Sequence, residues 1–368
     1  MTRTAARRSR LTPRLAVAVT AFAVAVALLV AGLLGALSGP SPVRPVTPGR
    51  AVDAFFTTYM RPDGRVVRTD QGGDTVSEGQ AYAMLMAAAL DERHRFDLAW
   101  GWTESHLMRP DGLLAWRWAG GAVTGHQPAS DADVGAAAAL VVAARRFSDP
   151  AFLGDARRLA ASIVSQEVAP SAQGPTLVAG PWARQPTEYV DPSYLSPEEI
   201  DDLAGALGGT WYALAGSASA ELMTLTAGGT LPSDWAVTSP GGRVRPANPP
   251  SPSGAPVRFG FDAARAPIWM AASCSGPLRS AAAGLLPALQ RGGGEVELDL
   301  GGRPAPGVRH PVGLLAEAAG EYAAGRTSAA WALVNQARRD NAAHPSYYGS
   351  AWVALTAIDF DHLLQPCS

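Results

Sequence analysis

The chain has 368 residues, 47% of them hydrophobic, and a formal net charge of −2. Apolar content is ample for a large core, and the near-neutral balance supplies no basic stripe, so nucleic acid is excluded as a natural partner. With only two cysteines, Cys274 and Cys367, and no CxxC spacing, a structural zinc site is not expected.

The first element is a membrane signal. Residues 1–14 carry five arginines and no acid, and residues 15–37 carry no charge at all. At about 1.5 Å rise per residue that apolar run crosses a hydrocarbon core of roughly 30 Å. The basic flank stays cytoplasmic, which places the rest of the chain outside the membrane. Ala36-Leu37-Ser38 resembles a small-residue cleavage site, but the run exceeds the usual signal core of about 7–15 residues, so an uncleaved anchor is the favoured expectation over a secreted product. Residues 38–49 hold four prolines and form a stiff spacer. Residues 50–368 then form one domain. An oxidising exterior permits a disulfide between Cys274 and Cys367, although both suit small buried thiols equally well.

Alanine-rich segments of period 3.6 follow near 50–60, 77–92, 95–107, 130–147, 150–166, 197–215, 217–226, 260–274, 276–290, 311–324, 327–340 and 348–363. Strand-like alternation is confined to Arg65-Val66-Val67-Arg68 and Glu295-Val296-Glu297-Leu298. Twelve helices joined mostly by short turns predict an all-α toroid or solenoid. The longer connections, 108–130, 169–197, 230–259 and 291–311, are rich in Gly, Pro, Trp and Tyr, and loops of that kind on a rigid scaffold are where sites lie.

Three acidic signals stand at helix starts. In Ser77-Glu78-Gly79-Gln80-Ala81-Tyr82-Ala83-Met84-Leu85, Ser77 is placed to cap and Glu78 falls in the first turn of an otherwise apolar helix. A carboxyl at such a rim is partly desolvated, which raises its pKa as a general acid requires; taken alone, it is only a favourable charge on the helix dipole. In Ala129-Ser130-Asp131-Ala132-Asp133-Val134, Ser130 or Asp131 can cap, and two acids so close are expected to face solvent, a cation or a polar ligand. In Phe259-Gly260-Phe261-Asp262-Ala263-Ala264-Arg265-Ala266-Pro267, Asp262 and Arg265 stand one helical turn apart and can pair, keeping Asp262 ionised as a base. Beside these acids cluster Trp100, Trp102, Trp116, Trp118, Trp182, Tyr189, Tyr194, Tyr347 and Tyr348, whose faces suit sugar rings as well as they suit core packing.

Together with Gly112-Leu113-Leu114-Ala115-Trp116-Arg117-Trp118 and Pro192-Ser193-Tyr194, these motifs stand in the order seen in glycoside hydrolase family 8, which the chain resembles from about residue 50 to Tyr347-Tyr348-Gly349-Ser350-Ala351. The resemblance implies an (α/α)6 barrel and inverting hydrolysis with no cofactor or metal. It implies Glu78 as the general acid and Asp262 as the base. It implies Asp131 gripping the sugar at the cleavage point, Arg265 orienting Asp262 or Tyr194, and Trp116 and Trp182 as stacking platforms. The family's glycines are replaced by Ala81 and Ala83, each expected to add a methyl near the groove floor, and Asp191 stands where an asparagine is common. Glu188, Asp191 and Asp201 are therefore reserve bases. The implied activity is a membrane-tethered endo-β-1,4-glucanase acting on a cellulose-like β-glucan, with a cellulose or glucan synthase as a neighbour. Xylanase, lichenase and chitosanase activities on the same scaffold are alternatives, as is a catalytically inactive glycan-binding protein.

Overall fold

The computed structural model describes residues 46–184, 188–239, 241–250, 254–364 and 367. The basic segment, the apolar run and most of the proline spacer lie outside these residues. Among the described residues no helix is long and apolar enough to cross a membrane.

Twelve α-helices are present among the described residues: α1 (Pro48–Tyr59), α2 (Ser77–Ala89), α3 (Arg93–His106), α4 (Ser130–Arg146), α5 (Pro150–Gln166), α6 (Pro197–Leu207), α7 (Thr210–Leu225), α8 (Arg265–Ala272), α9 (Gly276–Gly292), α10 (Pro311–Ala323), α11 (Thr327–Ala343) and α12 (Tyr347–Phe360). The even-numbered helices touch in succession, α2 to α4 and on to α12, and α12 returns to α2. That closes an inner ring. Each odd-numbered helix packs outside it, α3 on α2, α5 on α4, α7 on α6, α9 on α8, α11 on α10 and α1 on α12. The chain is thus predominantly helical, arranged in hairpins consistent with the expected toroid.

Composition explains which helix goes where. In α2 every residue but Glu78 is buried, and α12 is buried over nearly its whole length, because an inner helix has the ring interior on one side and an outer helix on the other. Outer helices such as α5 bury a single stripe, here Phe152, Ala156, Leu159, Ala160 and Ile163. Small residues let the inner helices approach closely. A Cβ on Gly135 of α4 would stand 3.4 Å from Ala81 Cβ on α2. Ala81 and Ala83 accordingly pack between helices and are buried there, not at a groove floor.

Some sequence expectations shift. The segment read as 197–215 and 217–226 breaks instead at Gly208-Gly209, both at positive φ, giving α6 and α7. Helix α8 begins at Arg265, so Asp262 lies in the turn before it. Residues 65–68 form only isolated bridges, Met60 with Val66 and Arg68 with Asp74. Strand β9 (Glu295–Leu298) is present, paired antiparallel with β10 (Pro304–Arg309). The other small sheets sit in the long connections: β1 (Thr75–Val76), β2 (Arg117–Ala119) and β3 (Ala122–Gly125) in one, β4 (Val168–Ser171) with β5 (Gly174–Leu177), and β6 (Glu188–Val190) with β7 (Ala236–Thr238) and β8 (Val244–Pro246). Cys274 and Cys367 form a disulfide that ties the end of the chain to the turn after α8.

Candidate active site

The ring directs its functional residues to one end. Glu78 and Asp131 lie in the first turns of α2 and α4, Arg265 opens α8, and Tyr194 lies in a short 3-10 turn just ahead of α6. The positive ends of several helix dipoles therefore meet where the carboxyls cluster. Arg68, Val76, Ser77, Glu78, Trp116, Ala129, Asp131, Tyr194, Asp262 and Arg265 line a cavity of about 160 Å³.

Local structure sets each side chain. Ser77 does not cap α2; its N–H pairs with Trp116 O through the β1–β2 contact, and Val76 takes the cap position without a side-chain bond. Gln80, in the same motif, faces away from the cavity. Its amide accepts from Val66 N–H at 2.6 Å and donates to Gly64 O, Ala99 O and Thr103 Oγ1, latching the preceding loop to α2 and α3. Gly79 is required by close approach, since a Cβ there would lie 2.4 Å from the buried Tyr347 hydroxyl.

Arg265 is the hub. Its side chain is 3% exposed, and its Nη1 donates to Glu78 Oε1 at 2.7 Å and to Asp131 Oδ2 at 3.2 Å. Its Nη2 donates to Asp262 Oδ1 at 3.1 Å, and its guanidinium lies 5.3 Å from the centre of the Tyr194 ring. Arg265 thus pairs with Asp262, lies beside Tyr194, and also reaches Glu78. Tyr82 donates its hydroxyl to Glu78 Oε1 at 2.8 Å.

Electrostatics separates the two carboxyls. Burial pushes Glu78 up to about 7, against the pull of the Arg265 charge and the Tyr82 hydrogen bond. Because Oε1 accepts from both Arg265 and Tyr82, the proton of the neutral acid resides on Oε2. Asp262 is 43% exposed, far more open than Glu78 or Asp131. One carboxyl can hold a proton near neutrality while the other meets water. Asp131 is raised by burial, with Arg265 and the Ala132 N–H opposing, and it stands within the same cluster.

The other acids fall outside this role. Asp133 is fully buried, accepts from Leu114 N–H at 2.8 Å, and is pushed well above the carboxylate range by burial; it does not face solvent, a cation or a ligand. Neither Ser130 nor Asp131 caps α4: the Ser130 hydroxyl donates to Val178 O. Among the reserve bases, Asp191 is fully buried and held protonated by that burial, accepting from Ser193, while its Oδ2 stands 3.8 Å from Arg265. Asp201 lines a separate hollow between α4, α5 and α6, and Glu188 is not among the cavity residues. Asp262 is the exposed carboxyl that remains.

Trp116 is 39% exposed and lines the cavity. Trp182, 41% exposed, lies beside the cavity lining, donating Nε1–H to the carbonyl of Pro128, next to Ala129. Trp100 and Trp102 are buried packing residues. Asp234 was not singled out from the sequence. It accepts from Gly260 N–H at 2.8 Å and Ala263 N–H at 3.0 Å, fixing the turn that carries Asp262, and Tyr348 donates to Phe261 O in the same turn. Arg68 belongs to no acidic motif, and Tyr82, although inside the Glu78 motif, carries no local sign that its hydroxyl would meet Glu78. Among the described residues no group of three or more His, Cys, Asp or Glu side chains is arranged to hold a metal ion.

Comparison with known proteins converges on one family. The sequence profile of glycosyl hydrolases family 8 matches residues 35–282. A probable endoglucanase of Novacetimonas hansenii is 31% identical over 239 residues, spanning 58% of this chain and 64% of that protein. An endoglucanase of Cellulomonas uda is 28% identical over 233 residues, spanning 60% and 62%. The matches thus span somewhat less than two thirds of these relatives' length. In fold, the chain resembles the structure of an endo-β-1,4-glucanase from Acetobacter xylinum, with a TM-score of 0.71 at 23% identity over 87% of this chain and 99% of that one.

Proposed function

Because the chain belongs to glycosyl hydrolases family 8, we propose that it is an inverting endo-β-1,4-glucanase acting on a cellulose-like β-glucan. The closed inner ring with its six outer partners is read as an (α/α)6 barrel, with the substrate groove across the end where the inner helices begin. One observation carries the reading: a carboxyl raised to about 7 and an exposed carboxyl share a cavity, bridged by one guanidinium, beside an exposed tryptophan.

In this reading Glu78 Oε2 gives its proton to the glycosidic oxygen as the bond to the anomeric carbon breaks. Asp262 takes a proton from the water that attacks that carbon on the opposite face. Inversion needs the two carboxyls roughly 6.5–9.5 Å apart, with room for water between them. The two carboxyls bond different terminal nitrogens of Arg265. Asp131 grips the hydroxyls of the distorted sugar, Tyr194 is braced by Arg265, and Trp116 and Trp182 stack on neighbouring sugars. After turnover Glu78 is ionised and Asp262 protonated, and exchange with solvent resets both.

The full chain should release reducing ends from carboxymethylcellulose or mixed-linkage glucan in preference to xylan and chitosan. Glu78→Gln should cut the rate by about 10²–10⁴-fold. Proton NMR of the first product should show the α-anomer; a β-anomer appearing first would reject inversion. No release from any of the four polymers, with glycan binding intact, would reject hydrolysis in favour of a binding protein.

The reading extends to location. Residues 15–37 form an uncleaved anchor, residues 1–14 stay cytoplasmic, and the catalytic domain works outside, beside a glucan synthase in the same membrane. The five arginines ahead of an uncharged apolar run support this orientation. Retention in the membrane pellet after alkaline carbonate, with protease access only from outside, is the expected result.

A further inference from the structure

We propose that Arg68, clamped by Asp74, forms with Arg117 and Trp116 a cationic subsite beside Glu78 that takes a glucan unit bearing a carboxylate substituent. The inference rests on the glucanase reading and names a preference within it.

The subsite is built around one buried acid. Asp74, 2% exposed, accepts from Arg68 Nε at 2.8 Å and Nη2 at 2.7 Å, and from Arg117 Nε at 2.6 Å. Two guanidiniums on one carboxylate leave one positive charge in surplus. Burial alone would raise Asp74, but the hydrogen bonds from both arginines hold it below its ordinary value. Glu78 does not cancel the surplus, because it holds its own proton up to about pH 7.

Both arginines keep donors free of Asp74. Asp74 occupies Nε and Nη2 of Arg68, and among the described residues no hydrogen bond takes Nη1. Arg68 lines the cavity together with Glu78 and Trp116. The Arg117 guanidinium stands 5.8 Å from the Trp116 ring and keeps both terminal nitrogens free among the described residues. The loop is preset: Arg68 N–H donates to Asp74 O at 2.9 Å, its carbonyl accepts from Gln71 and Gly73, and Gln80 latches Val66. A fixed guanidinium edge beside an aromatic platform binds an oxyanion without the cost of ordering a flexible arm. A sugar bearing an ammonium group would be repelled from the same position.

The test compares two soluble β-1,4-glucans of similar substitution, carboxymethylcellulose and neutral hydroxyethylcellulose, using the full chain, Arg68→Gln and Arg68→Lys. The charged-to-neutral ratio of kcat/KM should fall about tenfold in Arg68→Gln and be partly retained in Arg68→Lys, the loss on the neutral polymer being the smaller. The wild-type ratio should also fall as salt rises from about 20 mM to about 500 mM, where exposed charges are screened, a readout that needs no variant to fold. A ratio unchanged in Arg68→Gln, equal losses on both polymers, or a wild-type ratio indifferent to salt would each overturn the subsite. Absence of wild-type activity on both polymers would instead overturn the glucanase reading itself.

Discussion

Replacing Tyr82 with phenylalanine isolates the tuning of Glu78, the proposed general acid. The ring keeps its edge against Trp352, with centroids 5.6 Å apart, so packing is preserved. What is lost is the hydroxyl donated to Glu78 Oε1 at 2.8 Å. That bond favours the carboxylate form, so removing it raises the pKa of Glu78. A hydrogen bond to a charged group contributes about 1.5–3 kcal/mol. Arg265 still serves the same oxygen and the site is partly open, so the lower end applies, close to one pKa unit at about 1.4 kcal/mol per unit. Glu78 moves from about 7 to about 8. An acid must be protonated to act, so activity is lost as pH rises through this value. At pH 8 about a tenth of the wild-type acid remains protonated against about half in the variant, a fivefold gain relative to each protein's own maximum. The assay is kcat/KM on a soluble glucan from about pH 5 to 9. An alkaline limb that stays put, or that moves to lower pH, would refute both the assignment of Glu78 and the role of the Tyr82 bond.

Trp116→Ala should raise KM by about three- to tenfold on long glucan while kcat changes little, since stacking away from the reacting bond holds substrate and transition state alike; steady-state kinetics decides. Asp133→Asn should stabilise the protein at pH 8 and matter little at about pH 4. Burial raises the folded pKa of Asp133, so its favourable contribution is complete below the unfolded value near 4 and is lost as pH rises, at about 1.4 kcal/mol per unit until the folded value is reached. Asparagine keeps an oxygen for Leu114 N–H, and thermal midpoints at the two pH values test the difference. Replacing both Cys274 and Cys367 with serine opens a cross-link between residues 93 apart and should cost about 2–4 kcal/mol in denaturant unfolding, with activity at low temperature retained.

Much of this was legible in the chain. A carboxyl at the head of an apolar helix, and an acid one turn before an arginine, are local patterns, and Arg265 pairs with Asp262 as the spacing implied, while its contact with Glu78 is a product of the fold. Helix period and turn length left a toroid or a solenoid, and the contact of α12 with α2 closes the ring. Local patterns failed where a distant strand or helix intervened. Ser77 could not serve as a cap because its N–H is engaged by Trp116 across the β1–β2 contact. Asp133 was read as a partner of Asp131, yet residues two apart on a helix point about 200° from each other. One therefore faces the cavity and the other Leu114. Asp234 and Asp74 act on loops brought to them by the fold, and nothing within a few residues of either announces a binding role. The reserve bases needed burial to be judged: Asp191 and Asp201 look alike as letters, but one is sealed beside Arg265 and the other lines a hollow elsewhere.

The proton inventory around Arg265 explains why one cation suffices for four carboxyls. Glu78, Asp131, Asp191 and Asp262 all stand within 3.8 Å of its nitrogens. Burial favours the neutral form of Asp191 and of Glu78, the latter raised to about 7, so Arg265 need not answer four full negative charges at mildly acid pH. Negative charge left beside the guanidinium would favour an anomeric carbon gaining positive charge. In the proposed mechanism turnover ionises Glu78 and protonates Asp262, moving one negative charge between two carboxyls already bound to the same fork. The net charge of the cluster is the same before and after, and the cation that answers it need not move. Fixed dipoles and charges that require no reorganisation during the step are the main source of electrostatic catalysis. A lysine at 265 could follow the charge only by swinging from one carboxyl to the other, because a single ammonium lacks the rigid pair of donors that holds both at once.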